Sequence, residues 1–314
     1  MPKQLYKKCK TECDDLEWLY VPDEVYADYD GCRRCLQLFL PYRQEWPAEE
    51  TFPLVLFIPG SAWYRQEVYN SLPAYSRLAE RGIVTAILQF RESTIAPFPA
   101  QVEDAKAALR FLAARAEEYH IDTGRIFIAG NSSGGHIALL TAFTQERGVF
   151  DTPLYPEVSF RLRGVIAQSA PTDILKCAGE PFPPGFPEGF RPTADLLGVR
   201  DVLENRELAE AASCRKYISG DAELPPVLLF HGTEDVQVSV ENSRDLYELL
   251  KSAGKDVFFY ELEGGHGGAV FWSEEILDIT EAFIRRQSCP AKEVRDCLKG
   301  RQRSADAAPD RKSI

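Results

Sequence analysis

The chain is poor in histidine, short of positive charge and without any long apolar run, and each lack narrows what it can do. Lysine and arginine number 36 against 48 aspartates and glutamates, a formal charge of −12. Phosphate backbones are held by clustered cations, so this balance argues against a nucleic-acid partner and against a polyanionic substrate. No segment approaches the ~18 consecutive apolar residues of a membrane span. The N-terminal stretch MPKQLYKKCKTECDDLEWLY is charged and lacks the ~7 to 15 residue apolar core of a signal peptide. The expectation is a soluble, cytoplasmic protein with no membrane partner. Four histidines in 314 residues leave few candidates for chemistry that needs an imidazole.

Cysteine is not scarce. Among eight, Cys9, Cys13, Cys32 and Cys35 fall in the order C-x3-C and C-x2-C, a spacing that zinc sites use. Residues 31–42, GCRRCLQLFLPY, nevertheless alternate like a β-strand, which sends Cys32 and Cys35 to opposite faces. Free thiols in a reducing compartment are therefore the expectation. Cys289 and Cys297 stand in a polar tail.

Short, β-rich apolar runs occur at 53–60, 82–90, 125–130, 162–170, 225–232 and 256–264. Continuous apolar strands of this kind are buried on both faces. Between them, residues 99–120, 134–147, 240–254 and 273–287 carry apolar side chains at helical spacing. Strand and helix in alternation predict an α/β protein, a mostly parallel twisted sheet with helices on both faces. The expected organisation is one domain over residues 1–287 and a polar tail over 288–314. Residues 171–224 exceed an ordinary crossover. Their sequence EPFPPGFPEGFRP places four prolines before Arg191, which excludes a regular helix or a central strand there. Phe182, Phe186 and Phe190 need somewhere to pack, either in a short lid-like insertion or in a loop that covers a sheet edge.

The stretch GNSSGGH, 130–136, follows an apolar strand and opens a helical pattern. G-x-S-x-G is satisfied with Ser132 at its centre and not with Ser133. A tight strand-to-helix turn leaves no room for flanking side chains and holds the central hydroxyl exposed at the carboxyl edge of the sheet. A serine is a poor nucleophile without a base, and the base needs a carboxylate to orient it. His266, in EGGHGG after the last apolar run, stands in a glycine-rich loop that lets an imidazole reach over the sheet edge. His136 lies along the helix after the turn and is expected to pack there. His231, at the mouth of VLLFHG, suits hydrogen bonds to neighbouring loops, and His120 suits a helix end. HGTEDVQV supplies the carboxylate between nucleophile and base in chain order, with Asp235 preferred over Glu234 because a short side chain on a tight loop makes a better fixed orienter. Glu261 and Glu263 read as surface residues. The oxyanion of an acyl-transfer intermediate needs backbone donors. The N–H of Ser133 is one, its amide mattering more than its hydroxyl, and Gly60, Ser61 and Ala62 in LFIPGSAWYRQ are small enough to supply the others.

Together GNSSGGH, HGTEDVQV, GGHGG, PGSAW and FPAQVEDAKAALRFL resemble the α/β-hydrolase superfamily over roughly residues 50–287. Within it they resemble the acetyl and feruloyl esterase-like branch near the hormone-sensitive-lipase type. The resemblance implies an α/β-hydrolase fold, a triad of Ser132, Asp235 and His266, and an oxyanion loop at Ser61 and Ala62. Pro59 stands where that loop usually has His, and Ser61 where it has a second Gly, so backbone donation survives but the bracing His is missing. The implied activity is a serine carboxylesterase acting on short or aromatic acyl esters such as acetate or ferulate, on a carbohydrate alcohol. Its partner is a small-molecule ester, an acylated oligosaccharide among them, and the chemistry calls for no cofactor or metal. Trp63 and Trp272 offer aromatic faces for stacking on a sugar or ring, or else belong to the core. Two rivals share the fold: a peptidase for small peptides, since the triad does not separate esters from amides, and a non-catalytic binding protein, a class that typically loses the serine or histidine kept here.

Overall fold

The computed structural model describes residues 16–43, 50–145, 148–179, 185–187 and 189–288. Eight strands run through these residues: β1 (Glu17–Tyr29), β2 (Cys32–Tyr42), β3 (Phe52–Ile58), β4 (Val84–Leu88), β5 (Ile121–Asn131), β6 (Leu162–Gln168), β7 (Val227–Gly232) and β8 (Val257–Leu262). They form one sheet in the order β1-β2-β4-β3-β5-β6-β7-β8. The β1–β2 hairpin and the β2–β4 pair are antiparallel and every other neighbour is parallel. The six apolar runs become β3 to β8. β3 is buried at all seven positions, and its side chains divide by the two-residue period of a strand. Leu54, Leu56 and Ile58 face one core layer with the helices α2 (Ala100–Ala114), α3 (Ser133–Phe143) and α7 (Glu241–Ser252), while Val55 and Phe57 face the other with α1 (Leu72–Ala79) and α8 (Glu274–Ser288). This two-sided burial is why these strands read as unbroken apolar runs.

β1 escaped the periodicity. It is an edge strand with Trp18, Leu19 and Val25 largely exposed, and its pairing slips between Val21 and Glu24, where Asp23 takes a positive φ of 53°. A half-exposed strand with a bulge has no apolar run to betray it. Cys32 and Cys35 stand three residues apart on β2 and thus on opposite faces. Cys9 and Cys13, the other half of the zinc alternative, lie outside the described residues, as do Phe182 and the tail beyond 288 with Cys289 and Cys297.

Residues 171–224 join β6 to β7, two interior strands of the sheet. Their described residues form three short α-helices, α4 (Ile174–Gly179), α5 (Pro192–Leu197) and α6 (Arg206–Ala211), and a 3₁₀ turn, Cys214–Tyr217. α5 starts on a proline, whose missing N–H costs nothing in a first turn. Leu196 and Ala209 are fully buried in the main core layer, and the Phe98 N–H donates to the Leu196 carbonyl at 2.7 Å. The segment is packed onto the sheet's helical layer.

Between β5 and α3 only Ser132 remains. The turn is tight because α3 rests directly on the end of β3: a Cβ at Gly134 would lie 1.9 Å from the Ile58 carbonyl oxygen. Gly134→Ala is therefore expected to destabilise the protein by about 3 kcal/mol or more. Gly220→Ala, where an added Cβ meets nothing within 4 Å, is expected to shift stability by less than about 0.5 kcal/mol. Urea unfolding of the two variants measures the contrast.

Candidate active site

Ser132 has φ 53° and ψ −128°, a strained conformation for a residue with a Cβ. Two hydrogen bonds hold it: its N–H donates to the Gln168 carbonyl on β6 at 2.7 Å, and its carbonyl accepts the His136 N–H at 3.1 Å. His266 arrives from the loop after β8, where Gly267 and Gly268 take positive φ of 79° and 93° and allow the chain to turn back over the sheet. Its Nε2 lies 2.9 Å from Ser132 Oγ and its Nδ1 2.7 Å from Asp235 Oδ2. Asp235 sits just past β7, and its Oδ1 accepts the N–H groups of Gln237 and Val238, both at 2.9 Å.

The Asp235 carboxylate is fully buried. Burial alone raises its pKa, but the hydrogen bonds from His231 and His266 outweigh that and hold it well below the usual carboxylate range. It stays ionised at any ordinary pH. His231 was expected only to serve neighbouring loops. It does so, with Nε2 donating to the Val238 carbonyl at 2.9 Å and Nδ1 2.7 Å from Ser243 Oγ, but Nε2 also comes within 3.3 Å of Asp235 Oδ2. The i, i+4 spacing in HGTED was the signal for this contact. Glu234 is exposed, and Glu261 pairs with Arg244 at 2.8 Å. At His120 the backbone carbonyl receives the Phe52 N–H at the start of β3.

His136 is buried along α3 and far from solvent. Trp63 Nε1–H donates to its Nδ1 at 3.1 Å, which leaves the proton on Nε2, 2.7 Å from the Ala212 carbonyl. Burial pushes its pKa down to about 4, the Ala212 bond opposing only in part. It is a neutral residue with both nitrogens engaged.

The loop after β3 differs from expectation at one donor. Ser61 was expected to offer its N–H to an oxyanion, but that N–H donates to Ser133 Oγ at 2.9 Å. The Ser133 hydroxyl, expected to matter less than its amide, therefore has a role of its own as the acceptor that holds Ser61. Among the described residues, the N–H groups of Ala62 and Ser133 have no acceptor. Both border a cavity of about 420 Å³ whose wall includes Ser132, His266, Asn131, Gln237, Phe186 and Thr193. Phe186 stacks on Phe190 at 4.9 Å, and Tyr64, next to the loop, donates to Asp195 at 2.5 Å and touches the Phe190 ring. Trp63 lines the cavity but is 3 % exposed, with its indole edge committed to His136. Trp272 is not brought to the cavity at all. Its ring packs against Phe57 and Tyr75 on the opposite face of the sheet, which is the core alternative.

An eight-stranded, mostly parallel sheet with a serine at a strand–turn–helix elbow is the α/β-hydrolase fold. The chain belongs to the BD-FAE family, whose model matches residues 36–250, a stretch that includes Ser132 and Asp235 and stops short of His266. It is 28% identical over 239 residues to the probable carboxylic ester hydrolase LipM of Mycobacterium tuberculosis, covering 76% of this chain and 53% of LipM. It is 28% identical to the probable isoprenylcysteine alpha-carbonyl methylesterase ICMEL1 of Arabidopsis thaliana, covering 76% of this chain and 49% of that protein. The chain thus spans about half the length of the curated relatives it matches. Among solved structures it is similar to a truncated carbohydrate esterase from gut microbiota, at TM-score 0.75 and 25% identity, covering 89% of this chain and 99% of that one. No helix among the described residues is long and apolar enough to cross a membrane.

The buried His136 sets a pH dependence of stability. Below pH 6.5 the unfolded chain takes up a proton that the folded imidazole refuses until about pH 4. Stability rises with pH wherever the unfolded state binds more protons, so it falls as pH drops through this window. Between pH 7 and 4.5 the wild type is expected to lose about 2 to 3 kcal/mol more than His136→Gln, as read from urea unfolding at the two pH values.

Proposed function

We propose that this protein is a serine carboxylesterase in which Ser132 is the nucleophile, His266 the general base and acid, and Asp235 the residue that orients and charge-balances His266. The observation that carries this reading is the unbroken hydrogen-bonded chain from Ser132 Oγ through His266 to Asp235, at 2.9 and 2.7 Å, on the wall of a cavity. Ser132 Oγ attacks the ester carbonyl as its proton passes to His266 Nε2. The imidazolium so formed lies against a carboxylate already held ionised, which stabilises it without Asp235 taking the proton. Negative charge gathers on the carbonyl oxygen, where the N–H groups of Ala62 and Ser133 serve as donors, each worth ~3 kcal/mol of barrier. The C–O bond to the alcohol then breaks and the alcohol leaves with the Nε2 proton. A water molecule, deprotonated by the same nitrogen, attacks the acyl carbon, and the acyl–Oγ bond breaks as Nε2 returns the proton to Ser132, which releases the acid.

The substrate is an uncharged ester with a short or aromatic acyl group, an acylated carbohydrate being the preferred alcohol. The described residues lining the cavity include no cation, and their one carboxylate, Asp235, is engaged by His266. Neutral polar groups, Asn131, Thr193, Gln237 and Ser239, alternate there with Phe186 and Phe190, a mixture suited to hydroxyl groups and ring faces. The likeness to a carbohydrate esterase supports the same class.

Initial rates on nitrophenyl acetate, butyrate and octanoate, on an acetylated oligosaccharide, on methyl ferulate and on a dipeptide panel measure this. Short nitrophenyl esters are expected to turn over, and Ser132→Ala and His266→Gln to lose ~10⁴-fold or more. Full turnover by Ser132→Ala, or faster cleavage of dipeptides than of any ester, would overturn the assignment.

A further inference from the structure

The loop that faces the reacting carbonyl is held in a costly shape. Ala62 and Trp63 both take positive φ, 52° and 61°. Non-glycine residues hold such angles only where the surroundings over-determine them. Pro59 leaves the loop without an internal histidine to do this, and the constraint comes from across the sheet, from one short stretch of the elbow. Asn131 Oδ1 accepts the Gly60 N–H at 2.9 Å, Ser133 Oγ accepts the Ser61 N–H at 2.9 Å, and His136 Nδ1 accepts the Trp63 indole N–H at 3.1 Å. The anchors follow the loop in the same order along the chain. Ser133 and His136 are each 1 % exposed, and the bond from Trp63 to His136 is buried away from competing water.

We propose that Asn131, Ser133 and His136 are positioning residues that lace the oxyanion loop to the nucleophile elbow, the Ser133 hydroxyl holding Ser61 so that the Ala62 N–H faces the acyl oxygen. This rests on the reading of Ser132 as nucleophile and of Ala62 as oxyanion donor. The lacing ties both oxyanion donors to one rigid unit: the Ser133 N–H belongs to the elbow itself, and the Ala62 N–H is suspended between the Ser61 and Trp63 anchors. His136 is suited to its part because it is locked as the neutral Nε2–H tautomer, which presents a lone pair to Trp63. A loop displaced by an ångström still admits the substrate but meets the charge of the transition state poorly. Loss of a lace therefore acts on kcat and leaves KM nearly unchanged.

Two readouts test the lacing: kcat and KM for nitrophenyl butyrate, and the second-order rate at which a fluorophosphonate labels Ser132, which needs the loop but no matched ester. Ser133→Ala, which keeps the backbone amide and removes one oxygen, is expected to lower kcat and labelling ~10- to 100-fold with KM within ~3-fold of wild type. His136→Leu removes acceptor and donor and is expected to do the same. His136→Gln retains one of each and is expected to stay within ~3-fold of wild type. Should His136→Leu not fold, Ser133→Ala decides. Rates unchanged in Ser133→Ala, a rise in KM alone, or a fall in His136→Gln as deep as in His136→Leu would overturn the proposal. If the wild type is labelled at Ser132 but hydrolyses no ester, the esterase reading fails and the relative labelling rates still judge the lacing. A wild type that is neither labelled nor active removes both.

Discussion

Everything at the carboxyl edge of the sheet depends on how closely α3 approaches the end of β3. The gap is narrower than one methyl group, since a Cβ at Gly134 would overlap the Ile58 carbonyl oxygen. That approach forces the chain to reverse within the single residue Ser132, and so fixes both the positive φ and the outward hydroxyl. It also brings the loop after β3 directly over the elbow, close enough for Asn131 and Ser133 to accept its first amides. With a wider spacing the loop would have no anchors and Ser132 no facing donors.

Four histidines illustrate how environment, not residue type, sets a role. His266 is partly exposed beside a carboxylate that burial would neutralise and that four hydrogen-bond donors keep charged. His136 meets no carboxylate, and burial keeps it neutral to about pH 4. His231 stands between these cases. It is as buried as His136 but shares Asp235 with His266, so it helps fix the carboxylate that His266 rests against.

The strands of the parallel sheet were legible because burial on both faces leaves unbroken apolar runs, and the meeting of Ser132, Asp235 and His266 was legible because each follows such a run at the sheet's carboxyl edge. What sequence reasoning missed is of a different kind. β1 is half exposed and bulged, so no periodicity marks it. The Ser61 N–H was expected to point at substrate, yet its acceptor is a hydroxyl 72 residues away in the chain, a contact that only tertiary packing creates. Trp272 sits near His266 in sequence but leaves the loop through a 3₁₀ turn, Ala269–Trp272, that carries its ring to the opposite face. Proximity along the chain is a poor guide once a turn of that length intervenes.

The contact of Tyr64 with Asp195 and Phe190 couples two parts of the cavity that are distant in sequence. The segment after β6 supplies part of the wall, the loop after β3 faces Ser132, and the half-buried Tyr64 phenol joins them. A change in the length of 171–224, or the loss of Asp195, would pull on the loop after β3 as well, so the shape of the cavity is more readily altered elsewhere. Val236, 73 % exposed and lining the same cavity, is where a substitution alters what the cavity presents without touching that contact.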